Sequence, residues 1–163
     1  MKTARPVVSP LLVASAVNLT LMVPGGFVET RDFSAYPAIV LGAFNVFLTV
    51  LGLGSIFLAY RVAKAGRGYG WAALAGFAYV AVYLLDLGRI FPVPPNPMSM
   101  LLATLEWIGT ALGAALAAAA LMLREPEAAE PAVRTRLPMP ALLALSALAV
   151  VIVAFATWSA MGL

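Results

Sequence analysis

The chain has no cysteine and no histidine. That removes disulfides, thiolate nucleophiles, imidazole-ligated haem, thiolate-metal sites and any Ser-His-Asp arrangement, because the ligands and bases themselves are missing. A metal site would have to be all oxygen and take a hard cation, and the residue spacings suggest none. Charge is scarce as well: Asp, Glu, Lys and Arg make up 10% of 163 residues, against 63% hydrophobic. Soluble domains run at about 25% charged and about 45–50% apolar. A water-soluble fold of this length cannot hide so much apolar surface, so the expected medium is a lipid bilayer.

Long apolar runs are what the chain has in abundance. They cover 7–28, 37–60, 71–91, 97–123 and 137–161, and each exceeds the roughly 20 residues that a helix needs to cross about 30 Å of hydrocarbon. Backbone amides find no partners in lipid, and the alternating pattern of a barrel is absent. The expected fold is therefore all-α, a polytopic membrane protein with five transmembrane helices. A secretion signal competes for the first run, since "MKTAR" is basic and Ala14-Ser15-Ala16 has the small residues of a cleavage site. Pro6 and Pro10 interrupt its apolar core, and it reads as a retained crossing.

A polar, proline-broken stretch, "REPEAAEPAVRTRLPMP", divides the chain. The expected organisation is a four-helix bundle over 1–123, a cytoplasmic linker over 124–138 and a peripheral fifth helix over 139–163 that carries no ionisable side chain. Orientation follows from the cations. Lys2, Arg5, Arg61, Lys64, Arg67, Arg124, Arg134 and Arg136 fall on one side, and only Arg31 lies in the loops of the other. Basic flanks resist translocation, which predicts a cytoplasmic N-terminus, an outer C-terminus and residence in a cytoplasmic (inner) membrane. The net charge of +3 suits a surface held against anionic lipid and calls for no nucleic acid.

The remaining polar residues converge. In "YLLDLGRIFPVPPNPMSMLLATLEW", residues 83–107, Asp86, Arg89 and Glu106 sit in apolar surroundings on either side of a proline-rich loop. Helical spacing places Gly76, Tyr79, Tyr83, Asp86 and Arg89 on one stripe, and Glu106, Gly109, Thr110, Gly113 and Ala117 on one face of the next helix. Asn96-Pro97 reads as the cap and first position of that next helix. Antiparallel packing then brings Asp86, Arg89 and Glu106 to one outer level. Asn18 and Asn45 fall at similar depth, and the loop "ETRDFSAY" can lower Glu29, Arg31 and Asp32 towards it.

An unpaired charge inside a membrane costs about 2.5–3.5 kcal/mol even on the lenient insertion scale, so pairing is expected. Two acids against one base leave the count open. A protonated carboxyl, Arg31 from the loop, or a bound cation or amine closes it. The candidate cluster, structural or ligand-binding, is Asp86, Arg89, Glu106, Arg31, Asn18, Asn45 and Tyr83, while Gly109 and Gly113 form a GxxxG packing element. No residue pattern names a catalytic group. The first functional expectation is a non-catalytic subunit or assembly partner of a larger membrane complex, or a homo-oligomer. The alternative is a transporter or receptor that binds a small cation or amine in an outward-facing polar layer.

Overall fold

The computed structural model describes residues 5–123 and 138–162. These form five helices, α1 (Arg5–Leu21), α2 (Ala38–Ala65), α3 (Tyr69–Leu87), α4 (Met100–Met122) and α5 (Met139–Ala160), and no strand occurs among the described residues. Helices α2 to α5 are long and apolar enough to cross a membrane. The linker expected at 124–138 lies, up to residue 137, outside the described residues.

Helix α1 is shorter than the apolar run 7–28 led one to expect. It has 17 residues, about 25 Å at 1.5 Å per residue. The cause is local. Pro24-Gly25-Gly26 follows, and Gly25 turns the chain at φ 84°, a conformation that only glycine adopts freely. The apolar residues after Leu21 therefore bend across the end of the bundle instead of extending the helix. A side chain at Gly25 would also collide with Ser159 on α5.

Two other boundaries differ. Helix α2 continues past Tyr60 to Ala65 because Arg61 and Lys64 are good helix formers with long stems, and it stops at Gly66, at φ 64°, whose N–H bonds to the Val62 carbonyl. Helix α4 is capped by Ser99, whose Oγ accepts from the Leu102 N–H at 3.1 Å. Asn96 and Pro97 precede the helix as loop, so the cap expected at Asn96 lies three residues too early. Met98 packs against the core, and Ser99 satisfies one of the first free amides of the helix.

Helices α3 and α4 form the closest pair. A Cβ at Gly76 would lie 2.6 Å from the Ala117 nitrogen and 2.7 Å from the Gly113 oxygen, so the two backbones touch through small residues, as membrane helices do when packing must substitute for a hydrophobic drive. Helix α1 packs on α2 and α4, and α5 packs on α2. The core of the four-helix part includes Val8, Leu12, Val62, Tyr79 and Leu116, whereas α5 buries only Ala156 and Ala160. Large apolar side chains such as Ile39, Val50, Phe77, Leu101, Trp107 and Val150 cover the exterior. That surface is stable against acyl chains and not against water.

Candidate functional site

The candidate site lies where segment 22–37 folds over the ends of α1, α3 and α4. This segment is pinned at both sides. The Phe33 N–H bonds to the Ala160 carbonyl of α5 at 3.2 Å, and the Tyr36 hydroxyl accepts from the Val93 N–H at 2.8 Å. Phe91 is held edge-on by Tyr36 and Phe44, with ring centroids 5.5 and 5.1 Å apart. The result is a cap with Arg31 on its underside.

Arg31 forks onto Asp86, Nη1 to Oδ1 at 2.8 Å and Nη2 to Oδ2 at 2.6 Å. Its other edge holds Glu29, Nε to Oε1 at 2.9 Å and Nη2 to Oε2 at 2.6 Å. Glu29 Oε1 also accepts the Arg31 backbone N–H at 3.0 Å. One planar guanidinium thus satisfies two carboxylates, a task that a lysine's point charge could not perform. Burial alone would pull the Arg31 pKa down, but the hydrogen bonds and charges of Asp86 and Glu29 outweigh it and hold the group well above its ordinary value. The guanidinium also lies over the Phe33 ring at 5.4 Å.

Glu106 completes the cluster from α4 and is only 2% exposed. Its Oε1 is 4.0 Å from Arg31 Nη2, the outer limit of an ion pair, and its buried Oε2 has no hydrogen-bond partner. Three carboxyl groups therefore face one guanidinium, and charge balance at Glu106 calls for a proton or a further cation. Glu106 opens onto a cavity of ≈ 60 Å³. Asn45, Tyr83 and Asp86 share its polar wall, and Met22, Phe44, Leu48 and Val82 form apolar wall. A second cavity of ≈ 120 Å³ lies under the proline-rich loop. Arg31, Asp86 and Pro92 line both cavities, so the Arg31–Asp86 fork stands between them.

Behind the cavity, polar side chains are braced in pairs. Asn18 Nδ2 donates to the Tyr83 hydroxyl at 3.3 Å and to the Leu105 carbonyl at 3.1 Å. Gly109 makes the space for this: a Cβ there would run into the Tyr83 ring and lie 2.6 Å from Asn18 Nδ2. Gly113, a turn further, meets the Gly76 carbonyl and the Tyr79 side chain. Tyr79 stacks on Tyr83 and donates to Ser55 Oγ at 3.0 Å. Asn45 Nδ2 donates to Thr157 Oγ1 at 3.1 Å, which ties α2 to α5.

Of the residues singled out in the sequence, Asp86, Glu106 and Arg31 come together. Tyr83 and Asn45 line the cavity, and Asn18 stands behind Tyr83. Arg89 makes no ion pair with them, but it lines the second cavity beside Arg31 and Asp86. Helix α3 ends at Leu87, the N–H groups of Ile90 and Phe91 fold back to the Leu85 carbonyl at 2.8 and 3.2 Å, and Arg89, at φ 52°, is exposed. The helical spacing that placed Arg89 beside Asp86 does not apply beyond the last turn. For the same reason Asp86 lies closer to the helix end than a count from Phe91 gave. Glu29 is the partner that periodicity could not reveal, since a loop acid two residues from Arg31 carries no register. Asp32 stays exposed and accepts the Ser34 N–H at 2.8 Å, a bond that holds its carboxylate below the usual range. Among the described residues no Asp and Glu group is placed to hold a metal ion.

Residues 4–134 match the model of a protein family described as "Domain of unknown function (DUF8051)". Comparison with curated proteins and with solved structures finds no match. The matched region takes in α1 to α4 and every residue of the cluster, and α5 lies beyond it.

Replacing Arg31 by Gln leaves Glu29 and Asp86 as uncompensated buried charges and should destabilise the protein by about 3–5 kcal/mol. Arg89→Gln should change stability by less than about 0.5 kcal/mol, as an exposed substitution does. Thermal unfolding of both variants in the same detergent checks this, and equal losses would contradict the assignment of Arg31 as the counter-charge.

Proposed function

Because the chain belongs to the Domain of unknown function (DUF8051) family, whose description carries no activity, its role has to be read from the outer cluster, and we propose that this cluster binds a small cation. The observation that carries this reading is Glu106, a buried carboxyl with an unpartnered oxygen on a cavity beside two acids that already share the Arg31 guanidinium. A low-dielectric cavity with net negative charge concentrates cations. In this reading the protein is a multi-pass transporter or receptor of a cytoplasmic membrane, with no covalent chemistry. The N-terminus is cytoplasmic and the cluster faces outward. Arg61, Lys64 and Arg67 at the opposite end of α2 support that orientation. The guest enters from the cavity under the proline-rich loop, past the Arg31–Asp86 fork.

A second reading, the non-catalytic subunit or homo-oligomer, is favoured by α5. This helix lies beyond the family region and buries only two small residues against the rest, which leaves its remaining surface for lipid or another chain.

The lack of native cysteine makes the orientation testable with single-cysteine variants. Ser34→Cys should react with a membrane-impermeant maleimide in intact cells, and Lys64→Cys only after permeabilisation; the reverse pattern would invert the topology. Binding is tested on the purified chain with a panel of inorganic and organic cation chlorides. At least one should raise the thermal midpoint saturably, and Glu106→Gln, checked for native helicity, should abolish the effect. If no cation acts and mild extraction recovers the chain in a stoichiometric complex with other subunits, the second reading replaces the first.

A further inference from the structure

The chemical class of the guest can be argued from what the cavity offers, on the premise that the cavity binds a cation at all. A hard metal ion demands six or more oxygen ligands at about 2.0–2.6 Å. The carboxylate oxygens here are largely committed. Both oxygens of Asp86 and both of Glu29 accept hydrogen bonds from Arg31, which leaves Glu106 Oε2 as the unpartnered one. The wall formed by Met22, Phe44, Leu48 and Val82 supplies no oxygen. A sodium or magnesium ion would have to keep most of its water in a space that is mainly apolar, and neither the ion nor the wall would gain from the encounter.

A nitrogen cation has different needs. An ammonium is satisfied by one strong anionic acceptor and a few neutral ones, and its alkyl substituents gain from apolar walls at roughly 25 cal/mol per Å² buried. The cluster already recognises such a cation. The Arg31 guanidinium is held by N–H bonds to carboxylates and by the Phe33 face, and Glu106, on a cavity shared with Tyr83 and Phe44, offers a similar combination of carboxylate and aromatic surface with Oε2 unpartnered.

Size follows from volume. A cavity of ≈ 60 Å³, set against the roughly 150 Å³ that holds the six carbons of benzene, takes about two or three non-hydrogen atoms. The geometry points to a monocationic alkylammonium of about two or three non-hydrogen atoms as the guest, its nitrogen on Glu106 Oε2 and its chain against Met22, Phe44, Leu48 and Val82. Glu106 supplies the charge recognition, the apolar wall sets chain length, and the Arg31–Asp86 fork closes the outer side.

The test uses the purified full chain in detergent, with calorimetric titration and thermal midpoint as readouts. The probes are ethylammonium chloride, the neutral isostere ethanol, the bulkier tetraethylammonium chloride, and sodium and magnesium chlorides, all at matched ionic strength. Ethylammonium should bind saturably and at least tenfold more tightly than ethanol or tetraethylammonium, and Glu106→Gln should weaken it at least tenfold. The comparison of amine with alcohol is made on the unaltered chain, so it holds even if the variant does not fold. Saturable binding of sodium or magnesium without ethylammonium would overturn the amine assignment and leave the cation site standing. Equal binding of ethanol, or no saturable binding of any cation, would overturn both.

Discussion

The end of the bundle that carries the charged cluster depends on one guanidinium. Arg31 comes from a connecting segment, yet it is the counter-charge for an acid on its own segment and an acid at the end of α3. Without it, those carboxylates would be buried charges without a counter-ion, a condition that costs several kcal/mol for each. With it, the segment between α1 and α2 becomes a cap, anchored through Phe33 to α5 and through Tyr36 to the proline-rich loop. The cavity beneath is a consequence, since a cap held by ionic and aromatic contacts at its edges need not fill the space at its centre.

That cavity would not contain a carboxyl if α3 and α4 stood further apart. Gly76, Gly113 and Ala117 bring the two backbones into contact, and one turn closer to the cluster Gly109 admits the Tyr83 ring and the Asn18 amide. The same register puts Glu106 level with Asp86. Packing through small residues thus fixes where the polar chemistry sits. The capacity of Arg31, saturated by Glu29 and Asp86, fixes which carboxyl is left over.

Much of this was legible in the sequence, for stated physical reasons. Composition alone dictates helices in lipid, and three- and four-residue spacing identifies the buried faces, because Gly76, Tyr79, Tyr83, Glu106, Gly109, Gly113 and Ala117 are all buried. Helical periodicity carries no information past a helix end. The spacing that puts Arg89 beside Asp86 stops at Leu87, and the apolar run after Leu21 is broken at Pro24-Gly25-Gly26, where the chain turns. Asn96 and Ser99 are both competent caps, and residue type does not choose between them. Arg31 and Glu29 belong to an irregular segment, where no period tells which side chain points down, so the sequence could offer Arg31 as one way to balance the charge but could not choose it.

A double-mutant cycle between Arg31 and Asp86, with Arg31→Gln, Asp86→Asn and the pair measured by denaturant unfolding in one detergent, tests the central claim most directly. A fully formed buried fork predicts a coupling of about 1.5 kcal/mol or more. Additive single effects, with coupling within about 0.3–0.5 kcal/mol of zero, would mean that the two groups do not meet and that the cap is held by something else.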